Sequence, residues 1–334
     1  MTLSRFMPVQ TAKLDAKGRK LIALLAQYGK MTATALGKQV RLSKEAVSYR
    51  IQKFKEEKIL QCFVPIIDLR TLGYRVFELF LMVNERQKQK EHELLQWMCN
   101  HPRTRSVIEY SDTWDYGWIV IVKDIWEFDL LEAELTEKFS DIIIELDKCA
   151  TITGYTSHTL PYSFEKINWK PEGLRSPDSA EIDDKDLKVL VELCKNSRAS
   201  SYEISKAVGF SSDSVLKRTK KLEKQGVIRA YTALYNLASL GYQWYTYTLS
   251  FSRFSKKDEI KFREFIANHK NVIRAIRTFG KWDALIEIAA SNPSEYHNTV
   301  KEIKNTFADI LRKYECWLVY REHAYKTLPQ IISR

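Results

Sequence analysis

Two short stretches hold the side chains best suited to chemistry with a partner. Lys44, Ser48, Tyr49, Arg50 and Lys53 fall together in one, and Ser212, Ser214, Lys217, Arg218 and Lys221 in the other. Ammonium and guanidinium groups pair with phosphate oxygens, while hydroxyl, phenol and amine groups exchange hydrogen bonds with base edges. Such residues more often form a solvated helix face. The charge distribution argues for a polyanionic partner. Residues 13–60 contain 12 basic and four acidic side chains, and residues 181–228 contain ten and eight, so these windows account for nearly all of the net charge of +11. Double-stranded DNA is the expected partner.

Other candidates point to structure before chemistry. Trp114-Asp115 and Trp282-Asp283, the latter preceded by Gly280, have the form of turns in which Asp caps the backbone and Trp packs on a sheet. The alternative role for these five residues is contact with a small effector. His101 and His269 stand where a helix gives way to a strand, a place for capping and helix-dipole contacts. The five cysteines, Cys62, Cys99, Cys149, Cys194 and Cys316, form no C-x-x-C pair and read as buried thiols. With no P-loop, no G-x-S-x-G and no ligand-spaced His/Cys cluster, neither catalytic residue, cofactor nor metal is expected, and the chain does not read as an enzyme.

The elements around the basic stretches repeat. Val47, Ile51 and Phe54, and again Val215, Thr219 and Leu222, follow the i, i+4, i+7 spacing of a helix with one buried stripe, each helix opening at a serine, Ser43 or Ser211. A first helix opens at Asp15 or Asp183. A short second helix opens at Thr32 or Ser200, the latter in a capping box with Glu203. Residues 58–67 and 226–235 alternate like wing strands. Each unit is thus a winged helix-turn-helix. Beyond it the periodicity predicts strand, helix, two strands, helix and a last strand, over about 142–152 and 310–320. This βαββαβ order is that of a ferredoxin-like α+β domain, whose open sheet face must be covered by another sheet.

Residues 14–161 align without a gap on residues 182–329 at an offset of 168, pairing Leu72-Gly73-Tyr74 with Leu240-Gly241-Tyr242 and Trp114-Asp115 with Trp282-Asp283. The expected organisation is an arm (1–12), helix-turn-helix (13–68), α+β domain (69–161), linker (162–181, with Pro171, Gly173 and Pro177), helix-turn-helix (182–236) and α+β domain (237–334). The N-terminus lacks the features of an export signal, and no stretch is apolar enough to span a membrane, so a cytoplasmic protein is expected.

Leu14-Asp15-x-Lys17 and Ile182-Asp183-x-Lys185, then Leu42-Ser43-x-x-x-Val47-x-x-Arg50-Ile51, the Leu-Gly-Tyr elements and Gly280-x-x-Asp283 resemble the Lrp/AsnC, or feast/famine, regulators over almost the whole of both halves. The resemblance implies DNA binding through the helix-turn-helix, self-association through the α+β domains, and tuning by a small molecule such as an amino acid. The chain would be a covalent pseudo-dimer with two readers. It departs from the family at Asp112, which stands where the second copy has Gly280. Sirohaem decarboxylases share the double fold and form the enzymatic alternative. Their Tyr-Arg-Arg and Trp-Pro-Tyr-Asn elements are replaced here by Ile108-Glu109-Tyr110-Ser111 and Trp114-Asp115-Tyr116-Gly117, and by Ile276-Arg277-Thr278-Phe279 and Trp282-Asp283-Ala284-Leu285. A third reading is a sensor or assembly protein that does not bind DNA.

Overall fold

A computed structural model describes residues 3–84, 86–165 and 179–332. The first helical unit comprises α1 (Ala16–Gln27), α2 (Ala33–Val40) and α3 (Lys44–Glu56). Asp15, Thr32 and Ser43 cap them, each side chain accepting a backbone N–H in the first turn.

The second unit follows later in the chain with α6 (Asp184–Lys195), α7 (Ser201–Val208) and α8 (Ser212–Lys224). Here Asp183, Ser200 and Ser211 are the caps, and Ser200 and Glu203 form the expected capping box. The stripes of α3 and α8 bury Val47 and Phe54, and Val215 and Leu222, against their own units. The turn before the third helix differs between copies: α7 ends on Gly209 at φ +75°, whereas α2 ends on Arg41 at φ +55°, which is costly for a side chain with a Cβ.

The strands expected to be wings have a different partner. β1 (Leu60–Ile67) pairs antiparallel with β6 (Ile228–Tyr235), its counterpart in the other copy. Val64 lies opposite Thr232, its equivalent at the repeat offset, so a pseudo-twofold axis passes between them. Each helical unit also leans on the strand of the other copy. The Tyr235 hydroxyl donates to the Ile22 carbonyl, Gly29 N–H to Tyr231 O, and Ser197 N–H to Phe63 O. Arg198 donates to the carbonyls of Gly29 and Met31 at 3.1 and 2.9 Å. The two units are therefore tied directly to each other.

The first α+β region contains β2 (Arg75–Val83), α4 (Lys88–Asn100), β3 (Thr104–Tyr110), β4 (Tyr116–Val122), α5 (Ile125–Phe139) and β5 (Ile143–Ser157). The second contains β7 (Gln243–Phe251), α9 (Lys256–Ala267), β8 (Val272–Gly280), β9 (Ala284–Ala290), α10 (Pro293–Thr306) and β10 (Leu311–Tyr325). Both follow the expected βαββαβ order. Their sheets do not simply stack face to face; they join edge to edge in a closed eight-stranded barrel, β10-β3-β4-β2-β5-β8-β9-β7.

The closing strands run longer than their periodicity predicts, because each serves two sheets. β5 pairs with β2 through Ala150 and with β8 from Cys149 onward, and β10 does the same with β7 and β3. The two seams repeat one register: Gly154 opposite Ile276 in one is Glu322 opposite Ile108 in the other. Helices α4 and α5, and α9 and α10, cover the outside over separate apolar cores.

One end of the barrel interior is filled by side chains. Toward the Trp-Asp turns it is packed with Trp114, Trp282, Trp317, Phe80 and Tyr110, with the indole centroids 5.2–6.5 Å apart. Beyond them lies a buried ionic network. Arg274 meets Glu78 and Glu287, and Arg5 meets Glu322 at 2.7 Å and Glu287 at 3.9 Å. Each carboxylate has a cation beside it, which offsets the cost of burying charge.

Arg5 comes from the N-terminal arm, which crosses to the second copy. There Phe6 packs on Trp244, and Met7 and Asn236 exchange hydrogen bonds. The first residues of the expected linker are also packed, with Phe164 buried against Tyr242. Residues 166–178, including Pro171, Gly173 and Pro177, lie outside the described residues. Among the described residues no helix is long and apolar enough to cross a membrane.

Candidate nucleic-acid interface

The face of α3 turned from its core presents Lys44, Ser48, Tyr49 and Lys53 to solvent, with Tyr49 69% exposed. An exposed tyrosine flanked by a hydroxyl and two ammonium groups can stack, accept and donate without moving the helix. Arg50 is placed differently. Its guanidinium grips Asp15 in a two-pronged pair at 2.7 and 2.8 Å, tying α3 to the start of α1. The same pair, with the Gly18 N–H, holds the Asp15 carboxyl down to about 2.

The second copy uses its cations more heavily within the fold. Arg218 bonds both Asp183 and Asp186, and Lys221 reaches Asp186 at 2.6 Å. Asp186 is buried, and two cations compensate it. Ser212 and Ser214 are half-buried near the start of α8, whereas Lys217 is exposed. Next to Lys217 lies Leu216, 49% exposed and equivalent to Ser48 at the repeat offset. Sequence reasoning passed over it because polar groups were sought. The signal was nevertheless present, since the spacing that buries Val215, Thr219 and Leu222 turns position 216 outward.

The structure separates the five effector candidates from solvent or gives them backbone work. Trp114 and Trp282 are 1% and 3% exposed. Asp115 accepts the Val83 N–H and Asp283 the Phe251 N–H, each at 2.7 Å, so each aspartate fastens the turn to the first strand of its own sheet. Gly280 has φ +139°, and a Cβ there would come within 2.4 Å of the Lys148 carbonyl across the seam. A glycine is needed for that close approach.

His101 and His269 follow a common pattern. Each Nδ1 accepts a backbone N–H two residues on, each Nε2 faces a glutamate, and burial lowers both pKa values. Burial pushes the Cys62 and Cys194 thiols up to about 12, and Cys99 and Cys316 to about 11, which keeps them as thiols. Among the described residues no cluster of three His, Cys, Asp or Glu is arranged to hold a metal ion.

Comparison with known proteins places the helical units. An AsnC-type helix-turn-helix domain model matches residues 14–55, and a winged helix-turn-helix DNA-binding model matches residues 182–229. The leucine-responsive regulatory protein of Rhizobium meliloti is 32% identical over 123 residues, covering 36% of this chain and 79% of the relative. The HTH-type transcriptional regulator FL11 of Pyrococcus furiosus is 28% identical over 117 residues, covering 35% and 76%.

Over its whole length the chain is similar in structure to the siroheme decarboxylase NirDL, solved in co-complex with an iron-uroporphyrin III analogue. The TM-score is 0.63 at 14% identity, covering 94% of both chains. At that identity the likeness shows the fold, two fused units around a shared barrel. The regulator sequences show the family: the chain belongs to the Lrp/AsnC family, as two of its units joined in tandem.

Proposed function

We propose that the protein is a DNA-binding transcription regulator, not an enzyme, and that a single chain reads an asymmetric site with two unequal helix-turn-helix units. The observation that carries this reading is the exposed face of α3, which turns Lys44, Ser48, Tyr49 and Lys53 to solvent, Lys53 beside Glu57 at 3.6 Å. The first copy supplies most of the electrostatic affinity, since residues 13–60 hold 12 basic and four acidic side chains against ten and eight over 181–228, where Arg218 and Lys221 are also held by Asp183 and Asp186. Base reading by the second copy falls to Lys217, Leu216 and the serines at the start of α8.

The two units cannot adjust independently, because β1, β6 and Arg198 bind them together. The reading therefore includes half-sites at one set spacing, near one helical turn, roughly 34 Å. Selection of sites from random duplex DNA, followed by a salt titration of the best site, tests it. The expected result is one asymmetric consensus whose affinity falls steeply with salt. Failure to enrich any sequence overturns sequence-specific regulation, and a strict palindrome overturns the unequal readers.

The full-length likeness to a siroheme decarboxylase supports an enzyme as the second reading. The Trp-Asp turns differ from an open pocket. There three indoles, Phe80 and Tyr110 pack against one another, and no histidine stands among them. Titration with iron uroporphyrin separates the two readings. A saturable change in the absorption spectrum, in a protein that enriches no DNA, favours the enzyme.

A further inference from the structure

Between the β1–β6 strand pair and the barrel lies a cavity of about 250 Å³. At about 30 Å³ per water molecule, that is room for roughly eight waters, or for a small organic ion. Six arginines line it: Arg5, Arg70, Arg75, Arg105, Arg229 and Arg274. The carboxylates that they meet are Asp68, Glu78, Glu287 and Glu322.

Arg5 and Arg274, at the barrel end, face three glutamates. Arg70 and Arg229 meet Asp68, at 3.0 and 3.8 Å. Arg105 donates to the Lys326 and Thr327 carbonyls and to the Tyr325 hydroxyl, and Arg75 to the Tyr74 carbonyl; all of these acceptors are neutral. A second observation points the same way: the Thr151 hydroxyl, also in the lining, is buried and has no hydrogen-bond partner.

We propose that this cavity binds a small dianion, with the Arg75 and Arg105 guanidiniums opposite its charged groups and the Thr151 hydroxyl donating to it. Guanidinium forks suit carboxylate and phosphate oxygens alike, so the shared chemistry is a compact molecule carrying two negative charges. Arg75, Arg105 and Thr151 belong to the barrel strands β2, β3 and β5, so the ligand is held on the barrel side of the cavity, beneath the strand pair that carries the helical units. This site is separate from the Trp-Asp turns.

Thermal unfolding of the full chain with succinate, and separately with inorganic pyrophosphate, tests the proposal against sodium chloride at matched ionic strength. The expected result is a saturable rise in Tm with at least one dianion. Succinate alone would assign a dicarboxylate, and pyrophosphate alone a phosphate compound. Arg75 is exposed, so Arg75→Gln should fold and weaken binding roughly tenfold, as the loss of a charge-assisted hydrogen bond does. Thr151→Val should weaken it severalfold. Lys44→Gln/Lys53→Gln, on the α3 face, should leave it unchanged. The proposal is overturned if neither dianion gives a saturable rise, if Arg75→Gln and Thr151→Val bind as the parent does, or if Lys44→Gln/Lys53→Gln abolishes the effect.

Discussion

An exposed leucine on a helix expected to face DNA is informative because it has no hydrogen-bonding role to play. Leu216 stands where the first copy has Ser48, and an apolar side chain in the major groove discriminates by touching the thymine methyl. Burying one methyl is worth about 0.8 kcal/mol, or roughly fourfold in affinity. Replacing thymine by deoxyuridine, one position at a time in the half-site read by the second copy, should therefore weaken binding about fourfold at one step. Leu216→Ser should remove that sensitivity while keeping the salt dependence. If the parent binds the selected site but tolerates every replacement, Leu216 does not read a methyl. At this scale the helices α3 and α8 were legible in the sequence, but not the allocation of their charges. That Arg50 and Arg218 are held by Asp15 and by Asp183 and Asp186 depends on contacts 32 or 35 positions away, which a helical period does not report.

Helix starts were the most legible feature, since each depends on neighbours within one turn. Asp15, Ser43, Ser200 and Ser211 cap as their residue types predict. The Leu-Gly-Tyr elements are also accounted for, with Gly73 and Gly241 at φ +80° and +82° closing a short 3-10 turn before the barrel begins. The partner of β1 was not legible, because a strand of alternating residues pairs equally well with a wing or with its own repeat. Arg41 is where the copies part company. It adopts at φ +55° the conformation that Gly209 adopts in the second copy, at a cost of roughly 1–2 kcal/mol, partly offset by the lower entropy of an unfolded chain without glycine. Arg41→Gly should accordingly stabilise the first helical unit by about 0.5–1 kcal/mol. Urea denaturation monitored by helical circular dichroism would measure it, and a loss of stability would show that the Arg41 side chain contributes more than its backbone costs.

For the molecule as a whole, the gapless offset of 168 foretold a pseudo-twofold arrangement, and the equal registers of the two barrel seams are its structural expression. The closure itself was hidden. Edges that meet more than a hundred residues apart in sequence, and an arm whose Arg5 reaches Glu322, leave no periodic trace in either strand. Closure also bears on how the proposed regulator would meet its site. A pair of readers joined by flexible segments could follow half-sites moved apart, whereas here the β1–β6 pair and Arg198 leave little freedom between α3 and α8. Inserting five base pairs between the half-sites turns one of them by about half of the 10–10.5 base-pair repeat, onto the opposite side of the duplex. Binding should then fall to the level of a single reader, at least tenfold weaker, and a ten-base-pair insertion should not restore it, because the separation has doubled while the protein's span is unchanged. Gel-shift titration of the two insertions against the selected site distinguishes the cases. Recovery at ten base pairs would mean that the two units move apart, contrary to the contacts that join them.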